Sequence, residues 1–124
     1  MDCPKCKAAM EIVKFDDVEV DRCTGCGGIW FDSRERERLE AKRGSEAIDT
    51  GSADVGKQQN ANDRIACPRC TSRMVRMIDP KHPRLWFEQC AVCGGAYLDA
   101  GEFRDSRDHS VGAFFRDLFA KPRT

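Results

Sequence analysis

The chain has 124 residues, with 21 Lys and Arg against 21 Asp and Glu, and eight cysteines. That length admits one ordinary domain or two very small ones, and two small ones could not bury an adequate core without a staple. Zero net charge is a poor start for non-specific phosphate binding, and no stretch reaches the roughly 18 apolar residues of a membrane span.

The N-terminal MDCPKCKAAM lacks the apolar core of a signal peptide. The expected compartment is therefore the reducing cytoplasm, where paired cysteines bind metal more often than they form disulfides. Cys3-Pro4-Lys5-Cys6 comes first. Met10, Ile12 and Val13, then Val18 and Val20, flank the turn-prone Asp16-Asp17 and predict a hairpin. Cys23-Thr24-Gly25-Cys26 closes it, opening the heptad CGGIWFD, in which Ile29-Trp30-Phe31 reads as a third short strand. Asp32 stands three residues before Glu35, the spacing of a capping box, with Ser33 as an alternative cap, so a helix is expected to follow. Its Arg34-Glu35-Arg36-Glu37-Arg38 alternates in sign and reads as a solvated face, with Arg36 and Glu40 able to pair. These features define a unit at 1–43. Residues 44–63 are polar, without aromatics or apolar periodicity, and read as a flexible linker that leaves its neighbours free to move independently.

The pattern then repeats over 64–109. Cys67-Pro68-Arg69-Cys70 and Cys90-Ala91-Val92-Cys93 are separated by nineteen residues, against sixteen in the first copy. Met74–Ile78 and Leu85–Phe87 predict the hairpin, and the extra three residues fit a longer turn over Asp79–Pro83. CGGAYLD restates the heptad, with Ala96-Tyr97-Leu98 as the strand and Asp99 and Glu102 as the cap. His82 and His109 read as loop histidines. Arg69, Arg73, Arg76, Lys81 and Arg84 with Trp86 and Phe87 form the best candidate nucleic-acid surface. The favoured reading puts Trp86 or Phe87 into the ribbon core by alternation and leaves ordinary surface arginines. In the tail, 110–124, Val111, Phe114, Phe115, Leu118 and Phe119 make one apolar stripe of a helix, with Ser110 as N-cap and Pro122 as the stop.

Two residues between cysteines let one tight turn present both sulfurs to one ion, and two such turns complete a tetrahedron. Glycine after the second cysteine suits the positive φ of such a turn. Four CxxC pairs in register, without a βαβ pattern, argue for structural zinc over redox pairs or disulfides. Two Zn2+ per chain are expected. With four thiolates on each ion no open position remains for catalysis, and no Ser/His/Asp or paired-carboxylate constellation is present, so the chain is not expected to be an enzyme.

CPKC…CTGCGGIWFD and CPRC…CAVCGGAYLDAGE resemble the bacterial zinc ribbons of the TFIIB type, whose pattern is CPxC, a hairpin, then CxxCGGxWLDxGE. The resemblance covers residues 1–40 and 67–105. It implies two tandem ribbons, with Cys3, Cys6, Cys23 and Cys26 on one ion and Cys67, Cys70, Cys90 and Cys93 on the other. The first copy departs at Ser33-Arg34-Glu35, where the pattern has a glycine-glutamate step, and the second at Tyr97, where it has tryptophan. The expected fold is a small metal-stabilised α+β protein: two ribbons, each a β-hairpin with a third strand, each followed by a helix. The expected function is a protein-interaction adaptor, with partner binding or self-association through the stripe of the tail. The alternative is a transcription-associated factor that binds nucleic acid or RNA polymerase through the second ribbon.

Overall fold

The computed structural model describes residues 1–62 and 64–107, apart from the Arg84 side chain. The first ribbon contains β1 (Met10–Phe15), β2 (Val18–Cys23) and β3 (Ile29–Phe31); the second contains β4 (Val75–Asp79), β5 (His82–Gln89) and β6 (Ala96–Leu98). Three short α-helices follow the strands or lie between the ribbons: α1 (Glu35–Glu40), α2 (Ala53–Gln59) and α3 (Glu102–Ser106), with a 3-10 turn at Ser45–Ile48. The fold is the expected small metal-stabilised α+β type.

The third strands join the ribbons. β3 and β6 pair antiparallel, Ile29 opposite Leu98, Trp30 opposite Tyr97 and Phe31 opposite Ala96. The result is one six-stranded sheet in the order β1-β2-β3-β6-β5-β4. The repeat is thus arranged about an approximate two-fold axis that passes between Trp30 and Tyr97. Period-two alternation sends Ile29 and Phe31 to one face and Trp30 to the other. On the first face Val18, Val20, Ile29, Phe31 and Leu39 pack with Leu85, Phe87, Leu98 and Phe103 in a single apolar cluster. The Phe31 and Phe103 rings lie 5.3 Å apart. Neither ribbon has a separate core, which corrects the expectation of independently moving units.

Residues 44–62, within the expected flexible linker 44–63, are packed instead. Ser52 caps α2 by accepting from Val55 N at 3.4 Å. Ile48 is buried in the common core. A Cβ at Gly56 would lie 2.0 Å from the Ala100 carbonyl oxygen, so α2 touches the second ribbon backbone to backbone. The composition hides this packing because it rests on Ile48, Val55, Gly56, the buried Asp49 and backbone groups rather than on an apolar stripe.

Two smaller expectations are corrected. Ile78 pairs with Trp86 but Asp79 pairs with His82. The three extra residues therefore form a bulge at 83–85, rather than a longer turn. Pro83, which cannot donate to a ladder, suits a bulge. Asp32 and Asp99 do not cap with their side chains: α1 has Arg34 and α3 has Gly101 at the N-cap. Half of the first capping box survives, since Glu35 Oε1 accepts from Asp32 N at 2.7 Å. His82 opens β5 and is part-buried rather than a free loop residue. His109 and the apolar stripe of the tail lie outside the described residues.

Candidate metal centres

Each CxxC pair sits in the same kind of knuckle. Lys7 N donates to Cys3 O at 3.1 Å, Gly27 N to Cys23 O at 3.2 Å, Thr71 N to Cys67 O at 2.9 Å and Gly94 N to Cys90 O at 2.9 Å. The donor residue has positive φ every time: 68° at Lys7, 77° at Gly27, 59° at Thr71 and 78° at Gly94. The first glycine of each heptad thus serves the turn, as its chemistry suggests. The knuckles aim backbone N–H groups at sulfur: Lys5 N lies 3.4 Å from Cys3 Sγ, Cys26 N 3.3 Å from Cys23 Sγ, and Arg69 N 3.4 Å from Cys67 Sγ. Such donors favour thiolate over thiol.

The structure brings the eight cysteines into two quartets, Cys3, Cys6, Cys23, Cys26 and Cys67, Cys70, Cys90, Cys93, each with all sulfurs within 4.8 Å of one another. Cys3 and Cys26 are 3.8 Å apart and Cys67 and Cys93 3.7 Å, while Cys6–Cys23 and Cys70–Cys90 are each closer, at 3.2 Å. A Zn–S bond of about 2.3 Å in a tetrahedron gives an S···S edge of about 3.8 Å, so the donor sets fit Zn2+. All eight cysteines are free of disulfides. Hydrogen bonding from the Cys26 thiol draws the Cys3 thiol down to about 4, and Cys26 is pushed up by the same contact. The Ser72 hydroxyl draws Cys70 down to about 6, while burial pushes Cys67 up to about 12. Thiolate is the ligand form, so loading an ion must release whatever protons the four thiols carry.

The second glycine of each heptad has a role that the sequence did not disclose. A Cβ at Gly28 would lie 1.8 Å from the Tyr97 hydroxyl, and a Cβ at Gly95 would lie 2.2 Å from Trp30 Cζ2. The aromatic of each ribbon therefore lies against the metal knuckle of the other, rather than under its own hairpin. The two rings then differ. Tyr97 Oη is 3.2 Å from Cys3 Sγ and 3.2 Å from Cys26 Sγ, whereas Trp30 Nε1 donates to Asp32 Oδ1 at 2.8 Å.

A second exchange runs through the basic residue inside each CPxC. Lys5 Nζ contacts Glu88 Oε1 and Asp99 Oδ2, each at 2.9 Å, and donates to Gln59 O at 3.0 Å. The corresponding Arg69 reaches Asp32 at 3.0 Å and Asp21 at 3.1 Å. The aspartate that ends each heptad is therefore the anion for the cation of the opposite ribbon. The first set is buried and the second exposed. Burial pushes the Glu88 carboxyl up to about 7 despite Lys5. The signal was present in the sequence as a cation at both x positions and an aspartate at both heptad ends, but spacing alone pairs neither.

Among the described residues no helix is long and apolar enough to cross a membrane. Residues 2–42 match the family model described as a transcription factor zinc-finger, the TFIIB-type zinc ribbon. That match spans the first ribbon; the second stands on its own cysteine quartet and on the repeat. Comparison with curated proteins and with solved structures finds no match.

Proposed function

We propose that this chain is a non-catalytic, zinc-stabilised adaptor that docks on another protein through the outer edge of its second ribbon. The observation that carries the reading is the edge strand β4, where Val75, Met77 and Ile78 are exposed at 50%, 39% and 37%. An edge strand with apolar side chains is a template for pairing with an extended segment of another chain. The occupant that fits is an extended, β-branched or aromatic stretch of a partner protein. The four-thiolate sites argue against catalysis, since no coordination position is left for a substrate. Thiolate-held zinc suits a reducing compartment such as the cytoplasm.

The alternative, a transcription-associated factor that binds nucleic acid or polymerase, draws support from the description of the matched family. Against direct nucleic-acid binding, the cations of the second ribbon are partly engaged inside the chain. Arg69 is held by Asp32 and Asp21, and Arg76 stacks on the Trp86 ring at 5.0 Å. A comparison of wild type with Met77→Glu and with Phe115→Glu, all zinc-loaded, tests the reading. Loss of a defined partner in Met77→Glu supports docking on β4; loss only in Phe115→Glu moves the interface to the tail. Steeply salt-dependent binding to random DNA, unchanged in both variants, favours the alternative.

A further inference from the structure

We infer that the two metal centres are unequal: Tyr97 lends its hydroxyl to the thiolates of the first ribbon and holds that ion inert, while the second ion is exchangeable. Three observations converge on this asymmetry. The first is the hydroxyl itself, 3.2 Å from both Cys3 Sγ and Cys26 Sγ and buried with them. Once both sulfurs are thiolates they can only accept, so the hydroxyl is the donor in these contacts. The opposite aromatic, Trp30, spends its donor on Asp32, and the second quartet has in its place the part-buried Ser72 hydroxyl, 3.4 Å from one sulfur, Cys70 Sγ. Partners of this kind typically alter metal affinity by about 10–100-fold.

The second observation is access. Cys3, Cys23 and Cys26 are buried and Cys6 is partly buried, whereas Cys93 is exposed. Chelators and competing ions attack metal–thiolate sites through an accessible sulfur, so Cys93 offers the entry. The third is cover. Val55 of α2 and Gly51 line one cleft with Cys23 and Cys26, and Gly51 lies so close that a Cβ at Gly27 would meet its Cα at 2.7 Å. Residues 44–62 thus lie beside the first centre. Tyr97 is the place where the second copy departs from the tryptophan of the family pattern, and the departure is what puts a hydroxyl on the sulfurs of the first. Tyr97 is a positioning residue for the first ion.

The consequence is a protein whose first centre supports the fold while its second can trade Zn2+ with cellular ligands. The full-length, zinc-loaded protein is mixed with excess chromogenic chelator, sampled in time, alkylated, and mapped by peptide mass. Release is expected in two phases of about one ion each, with Cys67, Cys70, Cys90 and Cys93 alkylated in the fast phase. Tyr97→Phe keeps the ring and deletes the hydroxyl; it should speed the slow phase about tenfold or more and leave the fast phase alone. In the cadmium-113 spectrum of the substituted protein, the resonance coupled to the Cys3 and Cys26 protons should move in Tyr97→Phe and the other should not. Release of both ions at one rate overturns the inference, as does earlier labelling of the Cys3 quartet. A Tyr97→Phe variant that is less stable but shows no selective cadmium shift also overturns it, by reducing the hydroxyl to a core group.

Discussion

Gly28 and Gly95 face rings that belong to the opposite ribbon, and that determines what substitution there would do. An alanine methyl at Gly95 would stand 2.2 Å from Trp30 Cζ2, inside a packed interior with no flexible side chain to give way. Gly95→Ala should cost about 1–3 kcal/mol, read as a lower denaturation midpoint of the zinc-loaded protein. Lys5 and Arg69 make a second test, since their roles match but their burial does not. The Lys5 side chain is 0% exposed and that of Arg69 45%. Removing the buried cation strands Glu88 and Asp99, so Lys5→Met should cost about 3–5 kcal/mol. Arg69→Met, on the solvated side, should cost about 1 kcal/mol or less. Equal losses in the two variants would mean that burial does not set the strength of these bridges.

Among the elements, α3 depends on a residue that looks like part of a linker. Asp49 is buried, and its carboxylate accepts from Gly101 N and Arg104 N, each at 2.9 Å. It caps α3 from 52 residues away in sequence. Such a helix, five residues long, is not stable alone and needs both its cap and the packing of Phe103. Asp49→Ala should destabilise the protein by about 2 kcal/mol and speed amide exchange at Gly101 and Arg104, with zinc content unchanged. The three-residue strands β3 and β6 are equally dependent on each other. Neither is long enough to stand apart, and their mutual pairing turns two hairpins into one sheet.

For the whole molecule, the joined sheet changes what loss of a ligand should do. If the ribbons were independent, Cys26→Ser would unfold the first and spare the second. With β3 paired to β6 and Trp30 lying on Gly95, the loss should spread. Cys26→Ser is expected to broaden or lose amide signals around Cys90 as well as around Cys3, and loss of the slowly released first ion should unfold the whole chain in one cooperative transition. Two well-separated transitions under chelator, with native signals kept in the second ribbon, would restore the picture of two domains on a tether.

The sequence by itself determined the two cysteine quartets, the two hairpins with their third strands, and the positive-φ turns at Gly27 and Gly94. These depend on contacts between residues close in the chain, so spacing and residue type disclose them. The tertiary structure alone decided that Trp30 and Tyr97 trade places, that Lys5 meets Glu88 and Asp99, and that residues 44–62 are a packed element. Those contacts join residues far apart in the chain. A three-residue strand carries too little periodicity to name its partner, and a short polar segment bound through Asp49, Gly56 and backbone carbonyls leaves no apolar pattern to read. A lysine between two cysteines is legible as a charge; only the fold shows that its counter-ion belongs to the other ribbon, because burial makes that pairing obligatory.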